Sequence, residues 1–513
     1  MPAPATPPAG RSPSVRTASV VAVLGAAAVL VGSWVPSAWA DEGATMSGAR
    51  RTLPELWRMV HEVDGVHGLY YAFLHLWFTV VPYSPFTLRL PSAVAIGVAA
   101  GLTVLLTGRL AGRSTALVAG ILTCCVPRLT FAGIEGRSSA FSVVTAVGLT
   151  LVFVVAVERT TARRRRAWAW WTAYGALAVL AGLLFVYTDL VVIAHAVTVA
   201  VWLLRRGRTS MLRAALSFAT AAVLAALALV PFVLMVSGQT GQLSWMGPFT
   251  LGPELAGRIL IGQWFAGTGT WAAVPFVLMA LGVVATTGLP RLPSTPRLHD
   301  RIGAVEVALP VVVVPTVVVV LVSLLVRPLY DPRYLTFCAP FVAMLVALAL
   351  TSVPWRWVTL TAVVVLVALV VPIAVGQRGP TAKDGSTWAS AADVVATGRR
   401  AEAPGTRDGI WYGPLPRHVT RTTEFVAAAY PTAFAGMHDL TLERSAVSTG
   451  KLWAERSDVH DPLPPTDTVD RIWFVGARTE DQPALLQRRL AAAGWSVSQK
   501  WFTGKFVILK FSR

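Results

Sequence analysis

The chain has 513 residues, 55% of them hydrophobic and only 14% charged, with a mean hydropathy of +0.61. A water-soluble domain carries roughly 25% charged residues, so one ordinary soluble globule is excluded. So is a disordered chain, which is poor in apolar residues. The formal net charge of +18 does not point to nucleic acid, because most basic residues before position 376 stand in short loops between apolar runs, as in oriented membrane proteins. A polytopic α-helical membrane protein is the class that remains.

A span needs about 20 mainly apolar residues. Eleven candidates are read along the chain, at roughly 17–36, 89–107, 114–127, 139–157, 168–187, 189–204, 213–236, 272–288, 305–326, 334–353 and 357–376. With the N-terminus in the cytoplasm, the inner loops hold 17 basic residues and the outer segments nine. Acidic residues run the other way, nine outside against three inside. Both counts favour this orientation, which places the C-terminus outside. Ala38-Trp39-Ala40 mimics a signal-peptidase site, but the apolar run before it is long for a leader and ten spans follow, so an uncleaved first span is expected. Cys124, Cys125 and Cys338 all fall in apolar runs, without metal-ligand spacing, and read as membrane-helix fillers.

Asp41-Glu42 directly follows the first span, at the outer interface. Adjacent carboxylates there lose solvation unless they are used or paired, and partial burial shifts a carboxylate toward a base poised to remove a proton. Thr52–Val63 carries Leu53, Leu56, Met59 and Val60 at helical spacing and suits an amphipathic helix lying in the interface. An aromatic stretch, Val66–Trp77, follows, and then Arg89-Leu90-Pro91-Ser92 at the second span.

The acidic pair, the segment His67-Gly68-Leu69-Tyr70-Tyr71 and the RLPS entry together resemble the GT-C membrane glycosyltransferases. The most similar group is that of the protein O-mannosyltransferases and lipid A aminoarabinose transferases (family 39-like). Ile134-Glu135-Gly136-Arg137 is similar to that group's QEAR segment, and Tyr330-Asp331-Pro332-Arg333-Tyr334 to its external RY motif. The sequence departs from the group where HPP becomes His67-Gly68-Leu69, and where Ile134 and Gly136 replace the Gln and Ala of QEAR. The motifs run from residue 41 to 334 and cover the membrane part, to about residue 376.

The resemblance implies a GT-C catalytic domain over 1–376, its first external loop at 37–88 bearing interfacial helices. It implies transfer of a monosaccharide, mannose or a similar sugar, from a polyprenyl-phosphate donor to an extracytoplasmic glycan, lipid or protein acceptor. Asp41 would be the base of an inverting displacement, with Glu42 orienting it or the acceptor. Arg89, Arg137 and Arg333 would meet the donor phosphate. His67, Tyr70, Tyr71, Glu135, Tyr330 and Asp331 would line the substrate site. Each has a plainer reading as well: headgroup snorkelling for the arginines, interface packing for the tyrosines, and an Arg partner for Glu135. A divalent cation at Asp41 stays open, without a multi-carboxylate cage to hold it. A transporter or flippase of a lipid-linked or anionic substrate is the second reading. It calls for charged residues deep inside several spans, and Asp189 is the only acidic candidate.

Residues 377–513 hold 18 basic and 14 acidic residues, every lysine of the chain, and no run long enough to span. Helical patterning at 386–399 and 479–493, and strand patterning at 409–412, 471–475, 496–501 and 506–511, predict a small extracytoplasmic α/β domain.

Overall fold

The structure is a computed structural model and describes residues 13–206, 208–243, 246, 249–250, 252–266, 275, 277–278, 303–353, 355–403, 405–416, 418–478 and 481–513. Two compact units emerge: residues 1–31 with 88–375, and residues 32–87 with 376–513. The first external loop therefore folds with the C-terminal region, whereas the sequence reading grouped it with the spans.

In the first unit, eight helices among the described residues are long and apolar enough to cross a membrane: Pro85–Leu110, Ser139–Thr161, Ala167–Leu184, Val186–Arg205, Met211–Ser237, Ala304–Leu325, Pro332–Ser352 and Arg356–Gly376. Val15–Leu30 and Arg113–Cys125 are shorter apolar helices at two further expected spans. Most of the expected span at 272–288 lies outside the described residues. The first helix stops at Leu30, six residues before its hydropathy suggests, because Gly32 turns the chain with φ +73°, a conformation that glycine adopts without strain.

Small residues set how closely these helices approach. A Cβ added at Gly97 would lie 2.3 Å from the Ala22 carbonyl oxygen, and one at Gly25 would lie 2.4 Å from Cys124 Sγ. The first helix is thus seated backbone to backbone against Pro85–Leu110, as small residues permit in membrane bundles. A polar chain crosses the core of the same unit. Thr150 donates to the Ala146 carbonyl at 2.8 Å, so it accepts from His195 Nε2 at 3.1 Å, and Tyr174 donates to His195 Nδ1 at 2.9 Å. His195 is a satisfied, fully buried histidine stacked on Phe153 at 4.3 Å.

The second unit contains helices Ala40–Ala49, Leu53–Glu62 and Gly68–Val80, followed by the C-terminal α/β region. Among the described residues the strands are β1 (Asp408–Tyr412), β2 (Pro414–Leu415), β3 (His418–Thr422), β4 (His438–Asp439), β5 (Leu442–Arg444), β6 (Glu455–Arg456), β7 (Arg471–Ala477), β8 (Ser496–Thr503) and β9 (Phe506–Ser512). The main sheet runs β4-β1-β7-β9-β8, parallel on the β4-β1-β7 side and antiparallel from β7 to β8. Its two faces carry separate cores. Trp388, Val395, Phe425, Trp473 and Ile508 build one, while Ile472, Phe474, Leu486, Leu490 and Leu509 build the other. The alternation along β7 explains this, since successive side chains of a strand point to opposite faces. Ala38 belongs to the first of these cores, so the segment after the first span is part of the unit's interior.

Candidate active site

The carboxylate pair lies in the second unit. Asp41 and Glu42 occupy the first turn of the helix Ala40–Ala49, where the helix dipole favours negative charge. The two acids have different surroundings. Asp41 is half-buried, whereas Glu42 is fully buried and forms an ion pair with Lys383, Nζ to Oε1 2.6 Å, with neither side chain exposed. Lys383 was not visible as a site residue in the sequence, since 341 positions separate it from Glu42.

The aromatic segment is built close to this helix in the same unit. Asp64 adopts a left-handed turn with φ 58°, its carboxylate accepts from the Tyr71 hydroxyl, and its carbonyl accepts from the His67 amide at 3.0 Å. Tyr71 packs on Gly48, where an added Cβ would lie 2.7 Å from the ring. Tyr70 and Tyr71 are both fully buried. They brace the helix Gly68–Val80 from within the unit and do not form an interface belt. His67 stays half-buried, with its ring 6.0 Å from that of Tyr71. At Gly68 an added Cβ would come within 3.0 Å of the Val60 side chain, so the helix Leu53–Glu62 approaches the start of Gly68–Val80 closely.

The remaining predicted residues lie in the first unit. Arg89 is fully buried in the second span, which excludes headgroup snorkelling as its role. A Cβ on Gly136 would lie 2.6 Å from Leu88, so the turn bearing Glu135 and Arg137 packs on the start of the Arg89 helix. Glu135 is buried and Arg137 half-buried. Asp331 caps the turn that follows it: its carboxylate accepts from the Arg333 amide at 2.8 Å and from Arg333 Nε at 3.3 Å. The Arg333 side chain keeps about a third of its surface open.

Arg128 was passed over in the sequence and joins these groups. Burial lowers its pKa to about 10, and the Asp331 and Glu135 carboxylates oppose that fall, while Arg333 adds to it. The guanidinium is therefore still charged at neutral pH, amid residues from three connecting segments. It donates to the carbonyls of Gly262 and Gln263. Gln263 is fully buried, gives Nε2 to Thr316 at 2.9 Å and receives the Tyr330 hydroxyl at 2.9 Å. Arg258 donates to the Tyr330 carbonyl at 3.1 Å and lies 5.4 Å from its ring centroid. Burial pushes the Tyr330 phenol up, so it remains a neutral donor. Tyr187 and Tyr334, 5.1 Å apart, border the same region. Chemically, this is a cationic cluster with internal carboxylate partners, suited to an anionic oxygen ligand. Among the described residues, no group of three or more His, Cys, Asp or Glu is placed to hold a metal.

No protein-family model and no curated protein matches the chain. Its similarity to solved structures covers almost all of it. ArnT from Cupriavidus metallidurans bound to undecaprenyl phosphate is 13% identical, with a TM-score of 0.56 over 97% of this chain and 98% of that one. The apo state of the same protein gives 13% and 0.57 over the same shares. The arabinofuranosyltransferase AftD from Mycobacteria is 14% identical, with a TM-score of 0.50 over 98% of this chain and 40% of that one. The protein is a multi-pass membrane protein with the GT-C glycosyltransferase fold.

Proposed function

We propose that the protein transfers a monosaccharide from a polyprenyl-phosphate donor to an acceptor on the extracytoplasmic side. The observation that carries this reading is the near full-length likeness to ArnT, whose structure holds undecaprenyl phosphate. The acceptor hydroxyl oxygen bonds to the anomeric carbon as that carbon's bond to the phosphate oxygen breaks. The hydroxyl proton goes to Asp41, and polyprenyl phosphate leaves with the electron pair. One carboxylate base and an anionic leaving group suit a single inverting displacement. Arg333 and Arg137, the two predicted arginines with surface open, are assigned to the phosphate, where guanidinium groups offset the charge that develops on leaving. Fully buried Arg89 is assigned to holding the Glu135–Arg137 turn. Mannose is the sugar proposed, on the family resemblance, and the acceptor is a glycan, lipid or protein. The excess of arginine in alternate loops supports a cytoplasmic N-terminus and an extracytoplasmic second unit.

The test is transfer by purified protein in nanodiscs from a panel of radiolabelled polyprenyl-phosphate monosaccharides to an envelope extract. Label appearing in an acceptor fraction, with release of polyprenyl phosphate, is expected. Movement of intact donor across the bilayer without any transfer would favour the flippase reading instead.

A further inference from the structure

The segment 380–389 closes around the start of the carboxylate helix at several points, all within the second unit. The Ser37 amide donates to the Pro380 carbonyl at 2.8 Å. Ser386 Oγ donates to the Ala38 carbonyl and lies 3.1 Å from Ser37 Oγ, which in turn accepts from the Ala389 amide at 3.1 Å. Trp388 packs on Gly43, where an added Cβ would come within 3.1 Å of the indole. Between these attachments, Lys383 reaches Glu42 at 2.6 Å. The loop that delivers it is tightly formed, with Asp384 and Gly385 both at positive φ, 52° and 65°, and with the Ser386 amide donating to the Lys383 carbonyl at 2.9 Å.

This arrangement separates the roles of the two acids. Glu42 and Lys383 are closed to solvent and bonded to one another, so neither is open to a substrate in this state. Asp41 retains exposed surface. A buried pair of this kind contributes little net stability over an apolar pair of the same size, but it fixes geometry where both partners are held. Here one partner is the neighbour of the proposed base, and the other stands on a strained turn anchored at both ends.

We propose that Lys383 is a positioning residue of the transferase: through its buried bond to Glu42, and with Ser386 beside it, the segment 380–389 sets the first turn of the Asp41 helix and leaves Asp41 as the one solvent-open acid of the pair. The catalytic part of the proposal rests on the glycosyltransferase reading above. It gives the C-terminal region a part in turnover that the sequence motifs, which end near residue 334, do not suggest.

The experiment compares wild type, Lys383→Arg, Lys383→Met and the double variant Glu42→Leu/Lys383→Met, all as full-length protein in nanodiscs. Two readouts are taken: amide hydrogen exchange over residues 37–45, and the kcat and donor KM of sugar transfer from polyprenyl-phospho-mannose, or from whichever panel donor is active. Lys383→Met is expected to speed exchange over 37–45 and to lower kcat by about tenfold or more with KM little changed, as expected for lost alignment of a reacting group. Lys383→Arg should recover part of both. The double variant removes both buried charges and so separates folding from alignment: its melting temperature should return toward wild type while kcat stays low. A double variant with wild-type kcat would overturn the proposal, as would unchanged exchange over 37–45 in Lys383→Met. If wild type transfers no sugar from any donor, the transferase reading fails by itself, and the exchange readout still decides whether Lys383 holds the helix.

Discussion

The Tyr330 hydroxyl donates to Gln263 Oε1 at 2.9 Å, and both residues are essentially closed to solvent. With Arg128 on the backbone of Gly262 and Gln263, and Arg258 on the Tyr330 carbonyl, this bond ties the segment 258–265 to the Asp331–Arg333 turn. Tyr330→Phe would leave a buried amide oxygen without this donor. The cost of such an orphaned acceptor is about 1–3 kcal/mol, to be read as a lower melting temperature in detergent. The ring itself is kept, so packing against Phe249 should survive.

Arg333 is held by Asp331 through both its backbone and its side chain, while about a third of its side-chain surface remains exposed. On the assignment above, Arg333→Ala should raise donor KM by about tenfold, and Arg333→Lys by less, because lysine keeps the charge but loses the planar fork. Donor titration checks this. Equal effects of the two variants would count against a bidentate phosphate contact.

Gly97 stands where any side chain would meet the backbone of the first helix at Ala22. Gly97→Val should therefore displace that helix and lower stability by about 1–3 kcal/mol, whereas valine at Gly241, where an added Cβ meets nothing within 4 Å, should change it little. The same packing predicts that the mature protein keeps residues 15–30, which intact-mass measurement of the membrane-extracted protein decides.

The helix Leu53–Glu62 begins with a capping box, in which Thr52 and Glu55 exchange side-chain and backbone hydrogen bonds. Leu56, Met59 and Val60 are buried, whereas Leu53 and Trp57 are exposed, at 47% and 68%. Four residues apart, these two form an apolar strip on one helix face. A nitroxide placed at position 57 should be more accessible to oxygen than to a water-soluble nickel reagent in nanodiscs, as for a helix in the bilayer interface. The reverse ratio would place this face in water.

Much of the fold was legible because it is encoded locally. Runs of about 20 apolar residues exposed the spans, and the short apolar runs at 471–475 and 506–511, rich in aromatic and β-branched residues, exposed the central strands. The spacing of Leu53, Leu56, Met59 and Val60 marked the helix after Thr52. The premature end of the first helix was not legible, since hydropathy cannot see the left-handed turn at Gly32. Nor was the folding of residues 32–87 with 376–513, which depends on contacts such as Ser37 with Ser386 that no local pattern carries. The motif residues were found by type, but their environments were not. Tyr70 and Tyr71, expected to line the substrate site or to pack at the interface, are interior, and the difference in burial between Asp41 and Glu42 is written in no local pattern. Arg128 was one of nine outer arginines in sequence, and only its burial among Glu135, Asp331 and Arg333 sets it apart.

The central claim is that Asp41 removes the acceptor proton during sugar transfer. It is tested most directly by comparing wild type with Asp41→Asn in the radiolabelled transfer assay, with donor binding and thermal unfolding measured in parallel. Asparagine keeps the shape of the side chain but cannot take up the proton. The account predicts a fall in kcat of about 10²–10⁴-fold, with donor affinity and melting temperature near those of wild type. Transfer at the wild-type rate by Asp41→Asn would contradict it.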